Sequence, residues 1–384
     1  MKIILFLMLS FSINAESILL EDKKTNFDIG NNLYYQFEGD RPSSIEDISE
    51  EKRNKQFKKN FSKTLEAGYS KNPVWIHFKV KDLSNYQDDW ILEIGYSQLD
   101  EIVFYYYDNE WKKIVTGDKF PFSNRNFRHR FFLLPLKLNK GKEHSFYIKV
   151  STTTSIIVPL KIYTLEESKI QENRSDLWNI FLLVYSSLII FIAIYKSFRT
   201  LNAEFILIGL STFNFLMYLI SFNGYGYMYI WKNSPYIQSI AIPFFICLFA
   251  ISSGELVIRF LNLKKENFFS YTLIKFLQII VMLNIIGVLF ESFYTVRILN
   301  IIGMLNTIIH FLTSSYLWSK GKKYLRFFVI GSAIFTTLIF LIILKFLGLL
   351  DTAFFPVFFI QAGYMVSLGF ILASILEKER TLVL

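Results

Sequence analysis

The residues best equipped for chemistry in this 384-residue chain are few and scattered. The four histidines, His77, His129, His144 and His310, have no thiol or carboxylate cluster at ligand spacing around them. The single cysteine, Cys247, can build neither a disulfide framework nor a thiolate metal site. No phosphate-binding loop, dinucleotide fingerprint, nucleophile elbow, H-E-x-x-H helix or kinase signature occurs. The chain is therefore not read as an enzyme, and neither a cofactor nor a metal is expected. What remains is the chemistry of polar groups set among apolar ones. Glu255 and Arg259 stand four apart near the end of an apolar block, the spacing of an ion pair on one helix face. Asn284, Asn300, Asn306 and His310 lie deeper in such blocks. There amide and imidazole groups hydrogen-bond between helices, at about 0.6–2 kcal/mol each. A part in signal coupling is the sharper reading for Glu255, Arg259, Asn300, Asn306 and His310. A membrane enzyme acting on lipid or glycan would have only Glu255 with His310 to work with.

The elements that must position these groups lie between Leu177 and Leu376. The run divides into seven apolar blocks: Leu177–Tyr195, Phe205–Phe222, Ile237–Ile258, Tyr271–Phe290, Ile298–Leu317, Phe327–Leu347 and Phe354–Leu376. Each is close to the ~20 residues with which a helix crosses a hydrocarbon core of about 30 Å. Lipid cannot pair with backbone N–H and C=O groups, so the blocks must be helical. Gly209, Gly287, Gly303, Gly331, Gly363 and Gly369 allow helices to approach closely. Four ionisable groups spaced along one path would mark proton transport; none are found.

Ahead of this region, Met1-Lys2 and the apolar run Ile3–Ile13 lead to Asn14-Ala15-Glu16, which reads as a secretory signal ending at Ala15. With such a signal, residues 16–164 lie outside and the first block runs inward. The loops agree with that orientation. The inner segments carry Lys196, Arg199, Arg259, Lys264, Lys265, Lys320, Lys322, Lys323, Arg326, Lys378 and Arg380, and the outer loops only Lys232, Arg297 and Lys345. Tyr225, Tyr227, Tyr229 and Trp231 in the outer loop after the second block suit an aromatic belt. Much of the net charge of +9 sits in such loops, so it is not read as a nucleic-acid signal.

Residues 16–164 alternate apolar and polar in short runs broken by turn residues: Leu33–Phe37, Val74–Val80, Trp90–Ile94, Glu101–Tyr107, Trp111–Val115, Arg130–Leu136, Ser145–Val150 and Ile156–Tyr163. About eight strands at this spacing predict an all-β sandwich of jelly-roll type, followed by an all-α bundle of seven membrane helices. One helix interrupts the strands. Ser43-x-x-Glu46 or Ser44-x-x-Asp47 can cap it, and Lys52, Arg53, Lys55, Lys58 and Lys59 give it a solvated face. Residues 165–176 are polar and read as a brief connector, helical or extended.

The order of motifs is distinctive. Ser44-Ile45-Glu46-Asp47-Ile48 is followed by Pro73-Val74-Trp75-Ile76-His77-Phe78, then Leu99-Asp100-Glu101-Ile102-Val103-Phe104-Tyr105-Tyr106. Thr116-Gly117-Asp118-Lys119-Phe120-Pro121-Phe122-Ser123-Asn124-Arg125 and Ser151–Pro159 complete the series ahead of the seven blocks. Over residues 27–376 the chain resembles the bacterial seven-transmembrane receptors with diverse intracellular signalling modules (7TM-DISM). Arg259-Phe260-Leu261 also fits the family's pattern. The resemblance implies an extracytoplasmic sensor domain similar to carbohydrate-binding jelly rolls, and hence a sugar or other small ligand. Aromatic platforms and planar hydrogen-bonding groups suit such a ligand. The candidates are Trp75, Tyr96, Asp100, Tyr105, Arg125 and Arg128. Blander readings stand beside them: Trp75 as a core residue and at least one of Tyr105–Tyr107 as core, while Asp118 after Gly117 is first a turn residue.

The resemblance also implies a cytoplasmic kinase, cyclase or phosphatase. Glu377–Leu384 looks like the first turns of the helix that leads to it, so the output is expected from a separate partner or from chain beyond this sequence. The expectation is an inner-membrane receptor that relays an outside event inward. Its partners are membrane lipid, a small extracytoplasmic ligand, a cytoplasmic signalling enzyme and, as an open alternative, a second copy in a homodimer; nucleic acid is not among them. A transporter or channel with an accessory β domain is the competing reading, and it would need a polar path and internal repeats.

Overall fold

Strand β6 (Val74–Asp82) organises the N-terminal half because apolar residues occupy both of its faces. Ile76, Phe78 and Val80 point into the main core, while Trp75 and His77 are buried on the other side. The structure, a computed structural model, describes residues 16–22, 24–50, 56–85, 90–291, 294–346 and 357–383. The signal reading of residues 1–15, the lysines and arginine at 52, 53 and 55, and the opening of the seventh apolar block at 354–356 lie outside the described residues.

Around β6 run β1 (Ser17–Leu20), β2 (Asn26–Asp28), β3 (Tyr34–Phe37), β4 (Lys58–Lys59), β5 (Leu65–Tyr69), β7 (Trp90–Ile94), β8 (Glu101–Asp108), β9 (Glu110–Thr116), β10 (Phe132–Leu136), β11 (Glu143–Ser151), β12 (Ser155–Val158) and β13 (Leu160–Thr164). One sheet has the order β4-β3-β6-β11-β8-β9, with β1 parallel to the second half of β6. A second has the order β10-β7-β13-β2, and β12 pairs with β5. The inward-facing residues of the two larger sheets, among them Phe78, Phe104, Phe146 and Ile148 against Leu92, Ile94, Leu134 and Ile162, share one core. Burying each such side chain stabilises the domain by about 1.5–3 kcal/mol. Ile156–Tyr163, expected as one strand, is two. Pro159 has no N–H for a ladder, and the chain changes sheet there, from β5 to β7 and β2.

Helix α1 (Ile45–Ser49) covers the outer face of β6. Of the two caps the sequence allows, the Ser44 hydroxyl and the Asp47 carboxyl form the reciprocal box. Lys58 and Lys59, expected on the helix, instead form β4 against Tyr34 and Tyr35.

Thr164 ends β13 and at the same time caps the next helix, its hydroxyl accepting from the Glu167 N–H at 3.3 Å. That helix, α2 (Leu165–Thr200), has 36 residues and is ~54 Å long, well beyond one hydrocarbon core. The connector is thus its first three turns, and no slack separates sheet from bundle. Then come α3 (Ala203–Phe222), α4 (Pro235–Phe260), the short α5 (Leu263–Glu266), α6 (Phe268–Leu289), α7 (Thr295–Ser319), α8 (Arg326–Phe346) and α9 (Val357–Val383). Among the described residues six helices are long and apolar enough to cross a membrane. The 27-residue α9 packs against α8, α2 and α3. Large apolar side chains such as Leu177, Phe181, Val184, Leu188 and Phe191 face outward, as lipid contact requires.

Candidate functional site at the junction of sheet and bundle

Residues 223–234, between α3 and α4, form a wedge driven into the base of the β domain. Gly224 makes the entry possible. It has φ +83°, and a Cβ there would come within 2.8 Å of the Arg130 carbonyl oxygen. Tyr227 is buried, its ring edge-on to Phe122 at 5.8 Å and its hydroxyl donating to the Phe120 carbonyl. The Phe122 N–H donates to the Lys232 carbonyl at 2.9 Å. Arg125 lies over Phe122, Phe132 and Tyr227 at 4.4–5.5 Å and donates to the carbonyls of His129 and Arg130 at 2.9 and 3.0 Å. The loop aromatics expected in a lipid belt are therefore divided. Tyr227 packs on protein, because the β domain reaches down to meet it, whereas Tyr229 is exposed.

Other contacts cross the same junction. The Ser97 hydroxyl donates to the Phe222 carbonyl at 2.9 Å, and Gln98 Nε2 to the Ser221 carbonyl at 3.3 Å. Arg130 reaches the Asn223 carbonyl at 3.4 Å and the Ser175 hydroxyl on α2. Asn300, near the start of α7, donates to the Tyr69 hydroxyl at 3.1 Å.

At this junction lies a cavity of about 400 Å³ lined from both sides. Tyr69, Tyr96, Asp100, Asp118, Thr153 and Thr154 form its β wall. Tyr218, Phe222, Tyr236, Ser239, Glu291 and Asn300 form its helix wall. Asp100 is held by Thr152 Oγ1 at 3.0 Å and by the N–H and hydroxyl of Thr153 at 2.9 and 3.0 Å. Gly117 lets the start of β8 pass close by: its φ is +144°, and a Cβ would stand 2.1 Å from the Asp100 carbonyl oxygen. This puts Asp118 in the wall, fully enclosed. Burial, reinforced by the nearby Asp100 charge and only partly opposed by Arg125, pushes its pKa up to about 8. Burial also lowers Arg125 to about 10 and raises Tyr96 well above an ordinary phenol. At neutral pH the wall thus offers two neutral donors, the Asp118 carboxyl and the Tyr96 phenol, with Asp100 and Lys119 beside them.

Of the residues singled out in the sequence, Tyr96, Asp100 and Asn300 meet in this cavity, and Arg125 braces the wedge behind it. Trp75 and Tyr105 lie elsewhere, stacked on each other at 5.5 Å on the sheet face that α1 covers, with Trp75 Nε1 donating to Glu38 at 3.2 Å. Arg128 is exposed on a loop. Glu255 binds Arg259 at 3.0 Å and also Lys275 of α6 at 2.7 Å, far from the junction. Asn306 and His310 line a separate cavity within the bundle. Sequence reasoning missed Tyr69, Thr154, Ser239 and Glu291, and it took Asp118 as a turn residue. Gly117 was the usable signal, since a glycine that must admit a neighbouring backbone marks a crowded place.

A model of the 7TMR-DISM extracellular 2 domain matches residues 30–164, and one described as 7TM diverse intracellular signalling matches residues 174–377, more than half of the chain. The chain belongs to the 7TMR-DISM family. No curated protein matches it at significant similarity. It is a multi-pass membrane protein of receptor type, with a 7TMR-DISM extracellular domain on its N-terminal side. The junction cavity lies where the two matched regions meet.

Proposed function

We propose that this 7TMR-DISM protein is a receptor that senses a small polar ligand, of sugar or polyol type, in the junction cavity. The supporting observation is that one cavity draws its walls from both the β domain and the outer ends of the helices. An occupant that prefers one spacing of those walls shifts the helices with it, and only such differential affinity can move a conformational equilibrium. Aromatic faces beside planar hydrogen-bonding groups suit a sugar, in keeping with the likeness of the family's sensor domains to carbohydrate-binding jelly rolls. The signal-like N-terminal run and the loop charges support a β domain outside and α9 leading into the cytoplasm. There the signal passes to a signalling enzyme in trans or beyond this sequence.

The distal end of α9 is built for such a relay. Glu377 pairs with Arg326 at 3.0 Å, Glu379 with Lys196 at 2.8 Å, and Lys378 with Glu204 and, at 2.9 Å, with the Phe260 carbonyl. One turn of α9 is thus tied to α2, α3, α4 and α8.

The test is a thermal-shift screen of the full chain in nanodiscs against mono- and disaccharides and polyols. A hit should lose affinity in two variants that alter opposite walls: at least about tenfold in Asp100→Asn, the cost of one charge-assisted hydrogen bond, and about two- to tenfold in Asn300→Ala, that of a neutral one. Loss in Asp100→Asn alone would place the ligand on the β domain only and sink the coupling argument.

A further inference from the structure

We propose that the helix bundle holds a second ligand site, for a small neutral molecule made of one apolar ring and one hydroxyl. The site is a cavity of about 150 Å³ lined by α3, α4, α7, α8 and α9. Its walls are mainly apolar. Phe215 is their centre, with Tyr364 stacked on it at 3.9 Å and Phe249 and Phe335 at 5.0 and 5.7 Å. A cavity of this volume with such walls takes a benzene-sized ring and holds water poorly, because water needs two to four polar partners.

Polar side chains interrupt these walls, and two of their buried atoms, His310 Nε2 and Tyr364 Oη, have no hydrogen-bond partner among the described residues. His310 lines the cavity from α7, only 8% exposed. The neighbouring hydroxyls do not supply its Nε2 with a partner: Ser211, Ser253, Thr307, Ser332 and Thr336 donate to backbone carbonyls. A buried polar atom left unpaired is costly, so a ligand that pairs it gains beyond its apolar contacts. A hydroxyl both donates and accepts, and therefore suits either tautomer of the imidazole. Gly303, two turns before His310 on the same helix, also faces the cavity, and a Cβ there would meet nothing within 4 Å. This site is distinct from the junction cavity but adjoins it, since Tyr218, Ile246 and Asn300 line both. An occupant here therefore presses on the residues that shape the outer site.

The experiment uses the full chain in nanodiscs, with protein-free nanodiscs as blank, and measures phenol against toluene by ligand-observed NMR titration and thermal shift. Phenol should bind about tenfold tighter than toluene, the difference one buried hydrogen bond makes. His310→Phe, which keeps a ring of similar size, should abolish that preference. Gly303→Leu should fill the space, weaken both probes at least about tenfold and raise the melting temperature. The proposal fails if neither probe binds the parent, as when a lipid chain or water occupies the space. It fails equally if phenol and toluene bind alike, or if the preference survives His310→Phe. The His310 comparison stands even where Gly303→Leu does not fold.

Discussion

Asp118 is the residue whose environment departs furthest from what its type suggests. A carboxyl beside a turn glycine is ordinarily solvated and ionised, whereas here Gly117 folds it inward against Asp100. The sign of its pH effect follows from linkage. In the unfolded chain Asp118 loses its proton near pH 4, but in the folded protein only near pH 8. Across that window the folded state holds a proton that the unfolded state has released, so stability falls as pH rises. Below it and above it the contribution is flat. Asp118→Asn carries no such proton. Melting curves of parent and variant should therefore converge near pH 4–5 and separate toward pH 8, with the variant the more stable. A constant offset at every pH would contradict the assignment. His77 titrates in the opposite sense, since burial lowers it to about 4, so the comparison must be variant against parent and not one curve alone.

At the scale of elements, the wedge of residues 223–234 and the unbroken α2 hold the β domain to the bundle. Both were visible in the sequence as local composition, a tyrosine-rich loop and a short polar run. Neither revealed its partner, because loop aromatics satisfy a lipid interface and a protein groove equally well. Gly224 is the point where the wedge is most sensitive. A methyl there meets the Arg130 carbonyl at 2.8 Å at a positive φ, which a side chain tolerates poorly. Gly224→Ala is expected to destabilise the full chain by about 1–3 kcal/mol. It should raise amide exchange at residues 223–234 and at the base of the β domain, while exchange in the sheet around Phe78, Phe104 and Phe146 stays unchanged.

At the scale of the molecule, two cavities and one ring of ion pairs lie in series from the β domain to the far end of α9. Lys378 is the tightest of those pairs, with its ammonium shared between Glu204 and the Phe260 carbonyl and both side chains largely buried. Removing one partner from a buried pair strands the other, at about 3–5 kcal/mol. Lys378→Gln is accordingly expected to loosen the last turns of α9, read as faster amide exchange over residues 374–383 in nanodiscs, with the β domain unaffected. Unchanged exchange there would show that the pairs do not hold the helix.

Alternation in Val74–Val80 and Glu101–Tyr107 was enough to announce strands, and seven apolar blocks of span length announced a membrane bundle, because these patterns follow from local geometry and from the solvent a segment must face. Tyr96, Asp100 and Asn300 could be named from residue type alone, as could Trp75, Tyr105 and Arg128, and nothing local separated the two groups. Only tertiary structure did. Tyr69, Asp118, Ser239 and Glu291 come to one cavity from four distant places in the chain. That meeting depends on how a sheet seats on helix ends, a non-local packing outcome that no window of sequence carries.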